Sequence, residues 1–215
     1  MEKIKVLVVD DEQAATIRKN LEDFSFQEPK FGIITPVGCA IETAVSIKEA
    51  EEKISRLKKK IQFYDIMTID MRMPNSDEEG LEIFKLQLSC IKIVLTAHSS
   101  IQNCVKCLKA GAFDYIEKNS SDYDPYEKLK SSMKQGLVER LKKPFDPFMR
   151  WLNKNLLEFI EKYSGEHIAV IDEMVVEHDL NYDSLMERVK KNYPFHHPSI
   201  AAVPRKEDKE RLFLQ

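Results

Sequence analysis

The stretch KIKVLVVDDE, residues 3–12, decides how the rest of the chain is read. Ile4 to Val9 is an unbroken apolar run, and it ends on three acids, Asp10, Asp11 and Glu12. A run apolar at consecutive positions suits a strand covered on both faces, as in a parallel sheet. Adjacent carboxylates at its tip repel one another, more strongly once partly desolvated, so the tip calls for a cation or a proton.

Further along, ITPVGCA, YDIMTID, KIVLTAH and FDYIEK read as strands. Between them QAATIRKNLEDF, SIKEAEEKISRLKKKI, EEGLEIFKLQL and IQNCVKCLKAG read as helices, and a last helix runs from about Pro125 to Leu141. In the lysine-rich helix, Ile47, Ala50, Ile54, Leu57 and Ile61 recur at helical intervals. Strands alternating with helices predict an α/β domain of five βα units around a parallel sheet.

In such sheets ligands bind beyond the carboxyl ends of the strands. Those ends carry Asp10 and Asp11 on the first strand, Asp70 on the third, Thr96 on the fourth and Lys118 on the fifth. Three carboxylates make a hard-oxygen site for Mg²⁺, and the metal would relieve their repulsion. Asp70 is then placed to attack phosphorus and form an aspartyl phosphate. Lys118 offers a point charge to one phosphoryl oxygen, and the Thr96 hydroxyl a donor to another. Each has a plainer reading alone: Asp10 as a helix cap, Thr96 as a strand residue, Lys118 as a solvated lysine. Their coincidence at the strand ends favours the functional one.

The segments VLVVDDE, TIDMRMP, VLTAH and AFDYIEK, in this order, resemble the receiver domain of two-component response regulators over residues 3 to about 135. The resemblance implies a flavodoxin-like (βα)5 fold with a five-stranded parallel sheet in the order 2-1-3-4-5. It implies Asp10 and Asp11 as the acidic pocket, Asp70 as phosphoacceptor, and the Arg72 backbone carbonyl completing the Mg²⁺ site. Thr96 and Tyr115 resemble the switch pair. It also implies a sensor histidine kinase or phosphotransfer protein upstream, another protein downstream, and a phosphorylation-dependent homodimer as one output. No catalysis is implied beyond self-phosphorylation and dephosphorylation.

Three departures stand out. The segment between Asp11 and Asp70 is longer than is usual for the family, and the excess is assigned to the lysine-rich helix. The loop NSDEEG is also long, and its Asp77, Glu78 and Glu79 add negative charge. Asn119 stands where a proline that favours a cis peptide is usual.

The composition narrows the alternatives. Of 215 residues, 43% are hydrophobic and 32% charged, with net charge −3, and neither half has the basic excess that phosphate backbones attract. No apolar run approaches the roughly 20 residues of a bilayer span, and the charged N-terminus does not suit a signal peptide, so a cytoplasmic protein without membrane or nucleic-acid partners is expected. No glycine-rich phosphate loop follows the first strand, which argues against a dinucleotide. Cys39, Cys90, Cys104 and Cys107 are too scattered for a disulfide framework. In CVKC, the spacing of Ile101, Cys104, Val105 and Leu108 predicts Cys104 as a core residue.

The expected domains are a receiver over residues 1–143 and a linker helix with a small α+β domain over 144–215. Asp146 and Pro147 read as the start of the helix FMRWLNKNLLEFIEKYSG. Its stripe of Met149, Leu152, Leu156, Phe159 and Tyr163 lasts only about two heptads, so packing on its own domain is favoured over a coiled-coil seam. HIAVID and MVVEHD predict a hairpin, YDSLMERVKKN a helix and SIAAVP a strand. This β-β-α-β order resembles a small prokaryotic domain family of unknown function, over about residues 150–205. His178, His196 and His197 are read as solvent-facing and not as a metal site. The rival to a phosphorylated receiver is a phosphorylation-independent scaffold whose C-terminal domain is the binding module.

Overall fold

The computed structural model describes residues 3–31, 33–60, 62–76, 78–86, 88–142, 148–196 and 198–208. It divides into two compact units, Met1–Leu141 and Lys142–Gln215.

The first unit runs β1 (Ile4–Val9), α1 (Ala14–Asn20), β2 (Ser25–Glu28), β3 (Ile33–Ala44), α2 (Ile47–Lys58), β4 (Ile66–Ile69), β5 (Ile91–Thr96), α3 (Ile101–Lys109), β6 (Asp114–Glu117) and α4 (Pro125–Lys142). The sheet order is β2-β3-β1-β4-β5-β6. From β3 to β6 every neighbouring pair is parallel. Val6, Leu7, Val8 and Val9 are each 0% exposed, and consecutive burial of this kind requires cover on both faces. On one face Leu7, Val9, Met67, Ile69 and Val94 pack with Ala50, Ile54 and Leu57 of α2. Ser46 caps α2, its hydroxyl accepting from the Glu49 amide at 3.2 Å.

The flavodoxin-like class is as expected, but the sheet has six strands, not five. The parallel strands keep the order 2-1-3-4-5, with β3 in second place, and β2 adds an antiparallel edge. The excess length lies here and not in the lysine-rich helix. The six residues of β1 pair only with Cys39–Ala44 of β3. The first half of β3 runs past β1 and pairs with β2, Ser25 opposite Gly38 and Glu28 opposite Ile33. Pro36 is tolerated because this half lies outside the parallel ladder. α2 is an ordinary 12-residue helix, and Ile61 lies outside the described residues.

Two helices also differ from expectation. The segment EEGLEIFKLQL forms a 3-10 helix, Glu79–Leu86, which still buries Ile83 and Phe84. In α3 the buried residue is Cys107, whereas Cys104 is half-buried and Ile101, Val105 and Leu108 are exposed. Ile101, Val105 and Leu108 thus point away from the core, and the helix sits on the sheet through the flank that carries Cys107.

The second unit contains α5 (Phe148–Lys162), β7 (His167–Ile171), β8 (Met174–Asp179), α6 (Tyr182–Asn192) and β9 (Ser199–Ala202). Its antiparallel sheet has the order β8-β7-β9. Leu152 and Phe159 of α5 and Tyr163 just beyond it join Ile168, Val170 and Val203 in one core, so the stripe packs on its own unit. The side chain of Met149, and Asp146 and Pro147, lie outside the described residues. Arg188 ties α6 to β8, donating to Glu177 Oε2 at 3.0 Å, Asp179 Oδ2 at 2.8 Å and the His178 carbonyl at 2.9 Å. His178 is exposed and its Nδ1 meets Glu166 Oε2 at 2.5 Å. His196 departs from the solvent-facing expectation, since its Nε2 is buried; His197 is outside the described residues.

The hairpin between β7 and β8 turns on Asp172 and Glu173, with φ of 48° and 59°. Positive φ at both positions is the requirement of a type I′ turn, and it costs a non-glycine residue roughly 1–2 kcal/mol. Glu173→Gly is therefore expected to raise the unfolding free energy of this unit by roughly 0.5–1 kcal/mol, after glycine's greater unfolded-state entropy is subtracted. Urea unfolding of the two proteins checks it, and no gain would show that the turn is not strained.

Candidate functional site

The sheet register brings the polar strand ends together. Val9 pairs with Ile69, and the ladder continues one step, the Asp70 amide donating to the Val9 carbonyl at 2.9 Å. Thr96 pairs with Glu117, and the Lys118 amide donates to the Thr96 carbonyl at 2.8 Å. Asp10, Asp70, Thr96 and Lys118 thus follow the last paired residues of adjacent strands or close them, at one edge of the sheet.

Lys118 Nζ lies 2.6 Å from Asp10 Oδ2 and 2.5 Å from Asp70 Oδ2. The three side chains are only 4%, 1% and 9% exposed. Burial by itself would lower the Lys118 pKa, but hydrogen bonds and charge from Asp10 and Asp70 outweigh it and hold the ammonium above its ordinary value of 10.5. The cation demanded by the acidic strand tip is thus supplied by the chain itself.

Asp10 does two jobs. Its Oδ1 accepts from the amides of Glu12 at 3.0 Å and Gln13 at 2.5 Å, closing the turn before α1, while Oδ2 takes Lys118. One oxygen thus serves the turn ahead of α1, whose N-cap is Gln13, and the other faces Lys118. Asp11 follows half-buried. Among the described residues no trio of acid, His or Cys side chains is close enough to hold a metal, so Asp11 is not drawn into a closed cage with Asp10 and Asp70. The donor chemistry nonetheless suits Mg²⁺: three carboxylates and a backbone carbonyl are all hard oxygens.

Thr96 is buried, and its Oγ1 accepts from the His98 amide at 3.3 Å. Arg72 is exposed; its amide donates to Asp70 Oδ1 at 3.2 Å and its Nη1 lies 2.9 Å from His98 Nε2. Tyr115 packs against the main core with its hydroxyl buried, and this burial raises its pKa to about 12. Asp77 is outside the described residues. Glu78 pairs with Lys106 of α3 at 2.6 Å, and Glu79 binds the Asn75 backbone and side chain.

Against known families, the model described as the response regulator receiver domain matches residues 6–130. This chain belongs to the receiver family. A second model, described as a family of unknown function, DUF5678, matches residues 158–206. The receiver part is 33% identical over 143 residues to a protein-glutamate methylesterase/protein-glutamine glutaminase of Bacillus subtilis, covering 64% of this chain and 35% of that protein. It is 32% identical over 123 residues to the alginate biosynthesis transcriptional regulatory protein AlgB of Pseudomonas putida, covering 54% of this chain and 23% of that protein. The chain thus spans about a third or less of the length of these two relatives. A CheY-like receiver structure from Methanospirillum hungatei is 26% identical, with 64% of this chain and 99% of that chain covered and a TM-score of 0.45.

Two residues of this receiver's site escaped the sequence reading. A Cβ on Gly80 would stand 2.1 Å from the Asp70 carbonyl oxygen and 3.0 Å from the Met71 Cα, so the loop closes directly on the backbone beneath Asp70. The signal was a glycine ending the acidic run NSDEEG. His98 lies within the motif VLTAH, but nothing local to that motif shows that it meets Arg72.

Proposed function

We propose that this chain is the phosphoacceptor of a two-component relay, receiving a phosphoryl group on Asp70 from a histidine kinase or phosphotransfer protein. The observation that carries the reading is the buried Lys118 ammonium hydrogen-bonded to both Asp10 and Asp70. An Asp70 carboxylate oxygen attacks phosphorus, the O–P bond forms, and the bond from phosphorus to the donor breaks. Mg²⁺, held by Asp10, Asp11, Asp70 and the Arg72 carbonyl, would neutralise charge on the transferring oxygens.

Lys118 changes partner in the reaction. Once Asp70 is esterified, the ammonium that bound its Oδ2 is available to a phosphoryl oxygen, and the Asp10 contact keeps it in place. Thr96 Oγ1 accepts from the His98 amide, which leaves its own proton to donate to another phosphoryl oxygen. The added charge biases Thr96 and Tyr115 between two arrangements and alters the surface that a downstream protein or a second copy reads. The chain acts in the cytoplasm and catalyses nothing beyond its own phosphorylation and hydrolysis. Among the described residues no helix is long and apolar enough to cross a membrane.

Intact-mass measurement after incubation with a small phosphodonor and Mg²⁺ tests this. A single phosphoryl adduct is expected, absent when Mg²⁺ is chelated and absent in Asp70→Asn. An adduct that persists in Asp70→Asn would overturn the assignment, and no adduct on the unsubstituted protein would favour the scaffold reading.

A further inference from the structure

Helix α3 rests on the sheet through one buried side chain, Cys107, whose Sγ donates to Met71 Sδ at 3.2 Å. Met71 immediately follows Asp70, so this sulfur contact is the point at which α3 meets the strand bearing the acidic site. One turn earlier, Cys104 is half-buried. Side chains three apart on a helix are neighbours, with Cβ atoms about 5–6 Å apart. A disulfide needs Cα atoms about 4.4–6.8 Å apart and Cβ atoms about 3.5–4.5 Å apart. Ideal helix geometry puts Cα atoms three residues apart within the first range, and meeting the second requires α3 to distort locally.

The two thiols are unequal. Burial holds the Cys107 thiol up to about 11, and the neighbouring Cys104 adds to that shift. Cys104 is the more accessible of the pair, so attack on an oxidant begins there.

We propose that Cys104 and Cys107 are a redox modification site, forming a reversible disulfide within α3 that releases Cys107 from Met71. The oxidant is a peroxide. The Cys104 thiolate attacks one peroxide oxygen, the O–O bond breaks, and a sulfenic acid and one water result. The Cys107 sulfur then attacks the sulfenyl sulfur, the S–S bond forms, and a second water leaves with the thiol proton. Two thiols have lost two electrons and two protons to one hydrogen peroxide. The disulfide has no S–H to donate, so the bond to Met71 Sδ is lost and α3 loosens from the sheet. This goes beyond phosphorylation and does not depend on it.

The test uses the full chain treated with hydrogen peroxide, then alkylated, digested and mapped, with hydrogen exchange on the same samples. The peptide holding Cys104 and Cys107 is expected to lose both alkylation sites and two hydrogen masses, and to recover both on reduction. Amides of Ile101–Lys109 are expected to exchange faster in the oxidised form. Cys104→Ser, at a half-buried position, is expected to fold normally and to show neither change. Linkage to Cys39 or Cys90, over-oxidation of Cys104 without a bridge, or a bridge that leaves α3 exchange unchanged would each overturn the proposal. Because no readout involves phosphate, failure here leaves the Asp70 assignment standing, and failure of that assignment leaves this one standing.

Discussion

Lys118→Ala is expected to lower the unfolding free energy by roughly 3–5 kcal/mol at neutral pH, the range for deleting one partner of a buried ion pair. The loss is large because the substitution leaves two carboxylates, 1% and 9% exposed, without their shared cation. Its pH dependence carries a defined sign. The folded Lys118 pKa lies above the unfolded value of 10.5, so its contribution is complete below that value and disappears as pH rises through the folded one. The gap between wild type and variant should therefore be complete at neutrality and should narrow in alkali as Lys118 deprotonates. Mg²⁺ should stabilise the variant more than the wild type, since a divalent ion can replace the missing charge. Denaturant unfolding across pH, with and without Mg²⁺, makes the comparison. A pH-independent gap would mean that lost packing, and not charge, is responsible.

Gly80→Ala is the second large effect. A Cβ placed 2.1 Å from the Asp70 carbonyl oxygen cannot be accommodated by rotating a side chain, because the obstructing atoms belong to backbone. Overpacking typically costs about 1–3 kcal/mol, and the rigid obstacle puts this site at the upper end. The displacement would fall on Asp70 itself, whose amide bonds Val9 at 2.9 Å and whose carboxylate bonds Lys118. Both a lower midpoint of thermal unfolding and slower uptake of phosphate from a small donor are expected. Full-rate phosphorylation in a destabilised Gly80→Ala protein would show that the loop can move away without disturbing the acid.

The two substitutions report different aspects of one crevice. Lys118 controls its charge, and Gly80 controls how closely the following loop may approach. Neither contact is visible in local sequence, because each joins segments that only the fold brings together. The same is true of α3, where helical periodicity joins Ile101, Cys104, Val105 and Leu108 in one stripe but does not show the side it faces. A stripe at helical spacing is usually buried; here Ile101, Val105 and Leu108 are exposed, and Cys107 makes the inward contact. The extra chain after Asp11 was assigned to the most regular helical pattern available. Four residues of β2 carry too little alternation to announce a strand, and Pro36 obscured the length of β3.

What the sequence by itself determined is the parallel sheet and the polar residues at its carboxyl edge. Strands buried on both faces must be continuous apolar runs, and the polar residue that ends each run necessarily stands at the carboxyl edge, so Asp10, Asp70, Thr96 and Lys118 could be named before any coordinate. Only the tertiary structure decided that Lys118 reaches across 108 and 48 residues of chain to join Asp10 and Asp70. The physical reason is that periodicity reports which face of an element is apolar. Which charge neutralises which, and which flank of a helix touches the sheet, depend on distances between groups that are remote along the chain.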